Sequence, residues 1–406
     1  MMESRRTPLH AEHEALGAMF TDFAGWRMPL RYDSELAEHH AVRTSAGLFD
    51  LTHMGEIVLT GPEAGAALDH ALVGHASAIG VGRARYTMIC EADGGVIDDL
   101  IVYRLDPAAP SAGERTSADS NAPSAGERTS ADSNAPSAGE RTSAGDAEYL
   151  VVANASNAAV VHEALVERAK GFDTSVEDRS TDYALLAVQG PKATAILAGL
   201  TPTDLGTVKY YASYPTEVAG KPVLLARTGY TGEDGFELFV APDDAAHVWQ
   251  ALLEAGRPHD LRPAGLGCRD TLRLEAGMPL YGNELGRDRT PFHANLGRVV
   301  KLDKPGDFVG RDALAATAEQ GVDQVLVGLK TTSRRAPRHG YPVLDAAGER
   351  IGEVTSGALS PTLGYSVAMA YVAVGSTEPG TALSVDVRGK HEPVEVVALP
   401  FYKRTS

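Results

Sequence analysis

The stretch Gly94-Gly95-Val96-Ile97-Asp98-Asp99-Leu100-Ile101-Val102-Tyr103-Arg104 sets two adjacent carboxylates into an otherwise apolar, β-branched strand. Strand side chains alternate faces, so Asp98 and Asp99 point in opposite directions and at least one looks toward a buried or half-buried side. A buried carboxylate without a partner is costly, and strands avoid one unless it is paired, neutralised or used. The plain alternative is that one aspartate caps a turn and the other meets solvent, as most aspartates do. The Gly-Gly turn before the pair and the Leu100-Ile101-Val102 run after it favour a functional reading.

A second stretch repeats the first. Arg227-Thr228-Gly229-Tyr230-Thr231-Gly232-Glu233-Asp234-Gly235-Phe236-Glu237-Leu238-Phe239-Val240 also reads turn then strand, and Asp99-Leu100-Ile101-Val102 can be set over Glu237-Leu238-Phe239-Val240. Ahead of each hairpin a strand runs into Gly-Pro, at Gly61-Pro62 and Gly190-Pro191, where proline opens a helix without losing a hydrogen bond. Helical spacing follows each hairpin, over 157–170 and 243–254. The internal similarity predicts an α+β fold built on a duplicated β-α-β-β-α unit. Two such units about a pseudo-twofold would bring Asp99 and Glu237 to one shared cavity, which suits a ligand rich in N–H donors.

Composition narrows the partners. The 406 residues are 43% hydrophobic and 22% charged, enough for two or three globular domains. A net charge of −17 with no basic run argues against nucleic acid. Only Cys90 and Cys268 are present, which excludes a disulfide framework and fits a reducing compartment. The start, Met1-Met2-Glu3-Ser4-Arg5-Arg6, has no apolar targeting core. No window approaches the roughly 20 apolar residues of a membrane span, so a soluble cytoplasmic protein is expected.

Along the chain, helices are predicted over 8–19 and 33–44, with Phe23-Ala24-Gly25-Trp26-Arg27-Met28-Pro29-Leu30 as a loop between them. His39 and His40 are adjacent on a helix, about 100° apart, so they cannot chelate one ion from one face and read as structural. His53 is weighed as a proton carrier, and with no acid in view the structural reading is preferred. Residues 83–90 form a strand that turns through Asp93-Gly94-Gly95 into the Asp-Asp strand; whether Tyr86 shares a face with Asp99 depends on a register that sequence leaves open. From Pro110 a 13-residue Pro-Ser-Ala-Gly-Glu-Arg-Thr-Ser-Ala-Asp-Ser-Asn-Ala motif repeats, and its lack of large aliphatics predicts a disordered insertion over 108–146. Over 263–277 a helix carries Arg269 and Arg273 one turn apart; ion pairing with Asp270 or Glu275 competes with a role in binding an anion. Short strands from Gln324 onward predict a small antiparallel sandwich or barrel. The organisation expected is a core over 1–300 and a C-terminal antiparallel β-barrel domain over 301–406.

These residues resemble the T-protein of the glycine cleavage system, the tetrahydrofolate-dependent aminomethyltransferase family. The likeness runs nearly end to end, from Arg6-Thr7-Pro8-Leu9 and Phe23-Ala24-Gly25-Trp26 through His53-Met54-Gly55-Glu56, 94–102, 229–237, 269–277, Tyr281-Gly282-Asn283 and Val354-Thr355-Ser356-Gly357 to Pro400-Phe401. Two departures are the repeat insertion after Pro107 and Leu51-Thr52 where the family often has Val-Ser. The resemblance implies that an aminomethyl group on the lipoyl arm of H-protein passes to tetrahydrofolate, within a complex that includes the P- and L-proteins. It implies Asp99 as the catalytic acid at the folate nitrogens, and Tyr86, Tyr230, Glu237, Arg269 and Arg404 as further folate or lipoyl-arm contacts. Two other readings compete: a folate-dependent demethylase, and a non-catalytic folate-binding protein of iron-sulfur upkeep, the latter disfavoured because Asp99, Glu237 and Arg269 are all present. No G-x-G-x-x-G opens a helix after a strand, so the flavin-binding half of the larger amine oxidising relatives is not expected.

Overall fold

The structure, a computed structural model, describes residues 4–106, 147–331 and 335–404. The repeat insertion expected over 108–146 lies outside the described residues. The chain opens with α1 (His10–Ala15), β1 (Met19–Phe23), β2 (Trp26–Arg31), α2 (Glu35–Thr44) and β3 (Gly47–Asp50). The aromatic-Gly-Pro stretch read as a loop is instead the β1–β2 hairpin. Its turn residues Ala24 and Gly25 both have positive φ, 52° and 77°, the twist that closes a two-residue hairpin. Pro29 is tolerated because the ribbon has only two strands.

Two related units follow. The first runs β4 (Gly55–Gly61), α3 (Ala64–Ala71), β5 (Arg83–Cys90), β6 (Val96–Arg104), β7 (Ala147–Ala153), α4 (Ala158–Arg168), β8 (Ser175–Asp178); the second runs β9 (Ala184–Gln189), α5 (Ala193–Ala198), β10 (Ser213–Val218), β11 (Lys221–Ala226), β12 (Gly235–Val240), α6 (Pro242–Gly256), β13 (Arg262–Pro263). Their sheets are ordered β5-β6-β7-β4-β8 and β10-β11-β12-β9-β3-β13. The duplication is there, with three meandering strands between the two helices of each unit rather than two.

That extra strand corrects the expected superposition of the two acids. Gly61 and Gly190 occupy equivalent places, with φ of 135° and 137°, and each is crowded by a backbone carbonyl that a Cβ would meet at 2.6 and 2.4 Å. Three residues before them, Val58 pairs with Leu150 and Ala187 pairs with Glu237. Glu237 therefore corresponds to Leu150 on the third strand of the meander, whereas Asp99 lies on the second. The matching acid-aliphatic pattern reflects strand periodicity, not descent from one position.

Period-2 alternation builds the layers. Leu186, Val188, Leu225 and Leu238 face α5 and α6 on the outside of the second sheet. Ile57, Leu100, Val102 and Val151 face α3 and α4 on the outside of the first. The inner faces meet through Val58, Tyr103, Leu150 and Val152 from one sheet and Leu185, Ala187 and Phe239 from the other.

Next, α7 (Leu266–Glu275) packs on α2 and β2, and α8 (Arg311–Gln320) leads to β14 (Gln324–Thr331), β15 (Pro342–Leu344), β16 (Arg350–Leu359), β17 (Ser366–Ala373), β18 (Ala382–Asp386) and β19 (His391–Val397). These six strands close into a barrel in the order β14-β17-β16-β15-β18-β19, which leaves no open edge. Met88, Val96, Leu285, Val367, Met369 and Tyr371 share one cluster that joins the barrel to the first unit. Among the described residues no helix is long and apolar enough to cross a membrane.

Candidate functional site

The inner faces of the two sheets part at one end to enclose a cavity of about 430 Å³, closed by α7 and the segment after it. Tyr86 and Asp99 on the first sheet, Glu237 on the second, Tyr230 from the β11–β12 loop and Arg269 from α7 all line it. Asp99 pairs across the ladder with Met88, so Tyr86, two residues before Met88, shares its face. The Tyr86 hydroxyl donates to Asp99 Oδ2 at 3.1 Å, and Asn154 Nδ2 donates to Oδ1 at 2.8 Å. Burial pushes the Asp99 carboxyl up to about 6, against the pull of those two donors. Burial and the neighbouring Asp99 drive the Tyr86 hydroxyl well above its ordinary value, so it stays a donor.

Asp98 is fully buried on the opposite face while Asp99 opens onto the cavity, so neither aspartate caps a turn or lies on the outer surface. The ladder slips between Ile89 and Cys90, leaving Ile97 as an extra residue beside Asp98. Such bulges re-aim neighbouring side chains.

Glu237 sits mid-strand between Ala226 and Ala187, whose small side chains leave the carboxylate room. Its Oε2 accepts the hydroxyls of Thr228 and Tyr103, the latter reaching from the opposite sheet at 3.4 Å. Oε1 has no partner among the described residues. Burial raises the Glu237 carboxyl above its ordinary value, with Thr228 and Arg269 opposing. The Arg269 guanidinium lies 4.8 Å over the Tyr230 ring and makes no hydrogen bond or ion pair with another described residue. Such a fork is free to take a planar anion.

Each end of the chain matches a known family model. Residues 9–118 and 141–304 match the GCVT N-terminal domain, and residues 324–403 match the glycine cleavage T-protein C-terminal barrel domain. The chain is similar to an aminomethyltransferase of Saccharopolyspora erythraea, 64% identical over 406 residues with both chains fully covered. One of Streptomyces avermitilis is 60% identical with 98% of each covered. The crystal structure of glycine cleavage system aminomethyltransferase T from Bartonella henselae superposes with a TM-score of 0.84 at 34% identity, covering 98% of each chain. The chain belongs to the glycine cleavage T-protein family. Its activity is that of a tetrahydrofolate-dependent aminomethyltransferase, and the demethylase and non-catalytic readings fall away.

Within that T-protein frame, the two α7 arginines part company. Arg269 turns into the cavity, while Arg273 is buried against Glu284 at 2.9 Å, Asp270 at 2.8 Å and Ser356 Oγ at 2.7 Å, a brace between helix and barrel. Glu275 pairs with Arg43 and His39 instead. His39 is a buried structural histidine, bonded also to Thr271 and Thr362. Arg404 does not line the cavity; it sits 3.6 Å from Asp234, which Arg227 also holds.

His53 does line the cavity, edge-on to Phe23, with Nδ1 lacking a partner. Burial, reinforced by Arg269, drives its imidazole down to about 4, so at neutral pH it is the neutral ring and not a cationic acid. Sequence reasoning missed Asn154, Tyr103 and Thr228. Asn154 ends a strand, where asparagine ordinarily signals only a turn.

Proposed function

We propose that tetrahydrofolate binds in this cavity and that the aminomethyl carbon arrives on the lipoyl arm of H-protein, leaving as 5,10-methylenetetrahydrofolate while ammonia and dihydrolipoyl protein are released. The observation that carries the reading is unmet bonding capacity on three sides of one cavity: Glu237 Oε1 is unpartnered, Arg269 has no counter-ion in contact, and Asp99 keeps acceptor sites beyond Tyr86 and Asn154. A pterin offers a 2-amino group and ring N–H donors, which Glu237 accepts. Tyrosine rings give the aromatic portion a stacking surface, and Arg269 meets a glutamyl carboxylate.

Tetrahydrofolate supplies the nucleophilic nitrogen, so the protein need not provide one. Asp99, raised to about 6, is ionised in most molecules at neutral pH yet able to exchange a proton, the range suited to a general base. It also opposes the positive charge that develops as ammonia leaves.

The partners under this reading are H-protein directly and the P- and L-proteins through it, in the cytoplasm. The core is taken to end near residue 300, where the barrel domain begins. Methylenetetrahydrofolate formation from aminomethylated H-protein tests the assignment. An enzyme that accepts a free methyl donor and ignores the lipoyl intermediate would end it.

A further inference from the structure

Asp98 presents a puzzle that the reaction does not solve. It is fully buried, faces away from the cavity, and lies under the start of α4. Its Oδ1 accepts from the side chains of Asn154 and Asn157, each at 2.8 Å, and its Oδ2 accepts the Asn154 backbone N–H at 2.9 Å. One anchor of this kind could fasten a loop. The Asn154 side chain does more than accept anchorage, because its amide nitrogen also reaches Asp99 Oδ1 at 2.8 Å. Its two N–H groups therefore go to two different carboxylates, one on each face of β6.

We propose that Asn154 is a positioning residue for aminomethyl transfer: held by Asp98 from behind, it fixes the direction and the charge state of the Asp99 carboxylate in the cavity. The inference rests on the reading of Asp99 as the reaction's acid-base group.

Two oxygens that share one nitrogen at 2.8 Å lie within the roughly 4–6 Å over which like charges disturb each other's ionisation. Burial raises Asp98 to about 7 and the charge of Asp99 adds to it, so the two acids titrate as a pair. Around Asp99 the other titratable groups are Tyr86, Tyr211, Tyr230 and Glu284, with His53, Glu237, Arg269 and Arg273 across the same cavity; around Asp98, Tyr281. The tyrosines are neutral in the working range, and Glu284 is held by Arg273, so Asp98 is the neighbour whose charge changes.

The two removals then act in opposite directions. Asn154→Ala takes a donor from Asp99 and favours its protonated form, so the acid limb of kcat moves to higher pH. Asp98→Asn takes away a like charge, so the limb moves to lower pH. With aminomethylated H-protein as substrate, we expect shifts of about half a pH unit or more. Asn154→Ala should also lower kcat at least about tenfold with tetrahydrofolate affinity within threefold. A merely structural loop anchor would move both limbs together or not at all.

Should Asp98→Asn fail to fold, carboxyl 13C titration of the full chain replaces it. The Asp98 resonance should titrate lower, in one step, in Asp99→Asn, and an unchanged titration overturns the coupling. Limbs that stay fixed while Asp99→Asn is inactive overturn this inference alone. An active Asp99→Asn overturns it together with the reading beneath it.

Discussion

Glu237→Gln separates binding from chemistry at the second sheet. The carboxylate's Oε2 already accepts the Thr228 and Tyr103 hydroxyls, so only Oε1 remains for the ligand. If the glutamine carbonyl keeps those hydroxyls, its NH2 faces a pterin edge made of donors. If the amide flips, both hydroxyls must turn to accept from its NH2 and the ligand meets a neutral carbonyl. Either arrangement removes a charge-assisted hydrogen bond, which is worth about 1.5–3 kcal/mol. That range corresponds to roughly 10–150-fold weaker tetrahydrofolate binding. The fold should not suffer, because burial holds this carboxyl above its ordinary value. A group raised in this way favours folding below its unfolded pKa, and that contribution disappears as pH rises through the folded value. The glutamine removes a carboxyl whose ionisation burial opposes, so the melting temperature should hold or rise. Anaerobic calorimetry with tetrahydrofolate, beside steady-state rates with aminomethylated H-protein, reads both numbers. Unchanged affinity with a large drop in kcat would refute the argument, since it would put Glu237 in the transition state rather than in ground-state binding.

Asp99→Asn should lower turnover by about 10²–10⁴ with folate affinity within a few-fold, because the asparagine can still accept from Asn154 while Tyr86 turns to accept from its amide; equal losses in binding and rate would make Asp99 a simple anchor. In the unaltered enzyme, activity that needs ionised Asp99 should fall as pH drops below about 6, and a profile flat to pH 5 would contradict this. Burial alone would raise Glu275, but bonds from His39, Ser360 and Thr362 hold it down at about 2 against an ordinary 4.5, so it contributes about 3 kcal/mol above pH 4.5 that is lost as pH falls toward 2. Urea melts of Glu275→Gln should therefore trail the unaltered chain by an amount about 2 kcal/mol smaller at pH 3 than at pH 7, and a constant gap would rule the linkage out. Gly95→Ala places a Cβ 2.1 Å from the Arg287 carbonyl, and a melting temperature within a degree of the unaltered chain would show that this seam is softer than its packing implies; about 1–3 kcal/mol is expected.

Much of this was legible because periodicity and turn chemistry act locally. The helices after Gly61-Pro62 and Gly190-Pro191, the Asp93-Gly94-Gly95 turn, the alternation in β6 and the need to use two acids in one strand all read directly, although each proline lies just before the helix cap rather than at the first helical position. What could not be read is what depends on register and on contacts distant in sequence. Setting Asp99 over Glu237 looked right because both are acids followed by three apolar residues, yet pairing with Leu150 and Ala187 decides which strand each belongs to. Arg269 and Arg273 look equivalent one turn apart; only the barrel's Ser356 and the buried Glu284 show why one braces and the other stays free. Asn154 gave no signal, since an asparagine at a strand end reads as a turn whether or not two carboxylates wait behind it.

The way the barrel is attached explains how the cavity keeps free charges without collapsing on them. Arg269 would close on Glu237 or Asp99 if α7 could shift, because a guanidinium facing unpaired carboxylates gains from contact. The helix is held at its other end: Arg273 is clamped by Glu284 and Ser356, and Glu275 is bonded by Arg43, His39 and Thr362. The Tyr402 backbone N–H then ties the chain's end to the Glu275 carbonyl at 2.8 Å, and the Tyr402 ring lies under Arg43 at 4.0 Å. Breaking such buried pairs is strongly destabilising, so they act as fixed points for the helix. Preorganised polar groups with unmet bonds are what a site needs to recognise a polar ligand without reorganising when it arrives. The barrel, though it contributes no residue to the cavity lining, thus sets the position of the arginine that does.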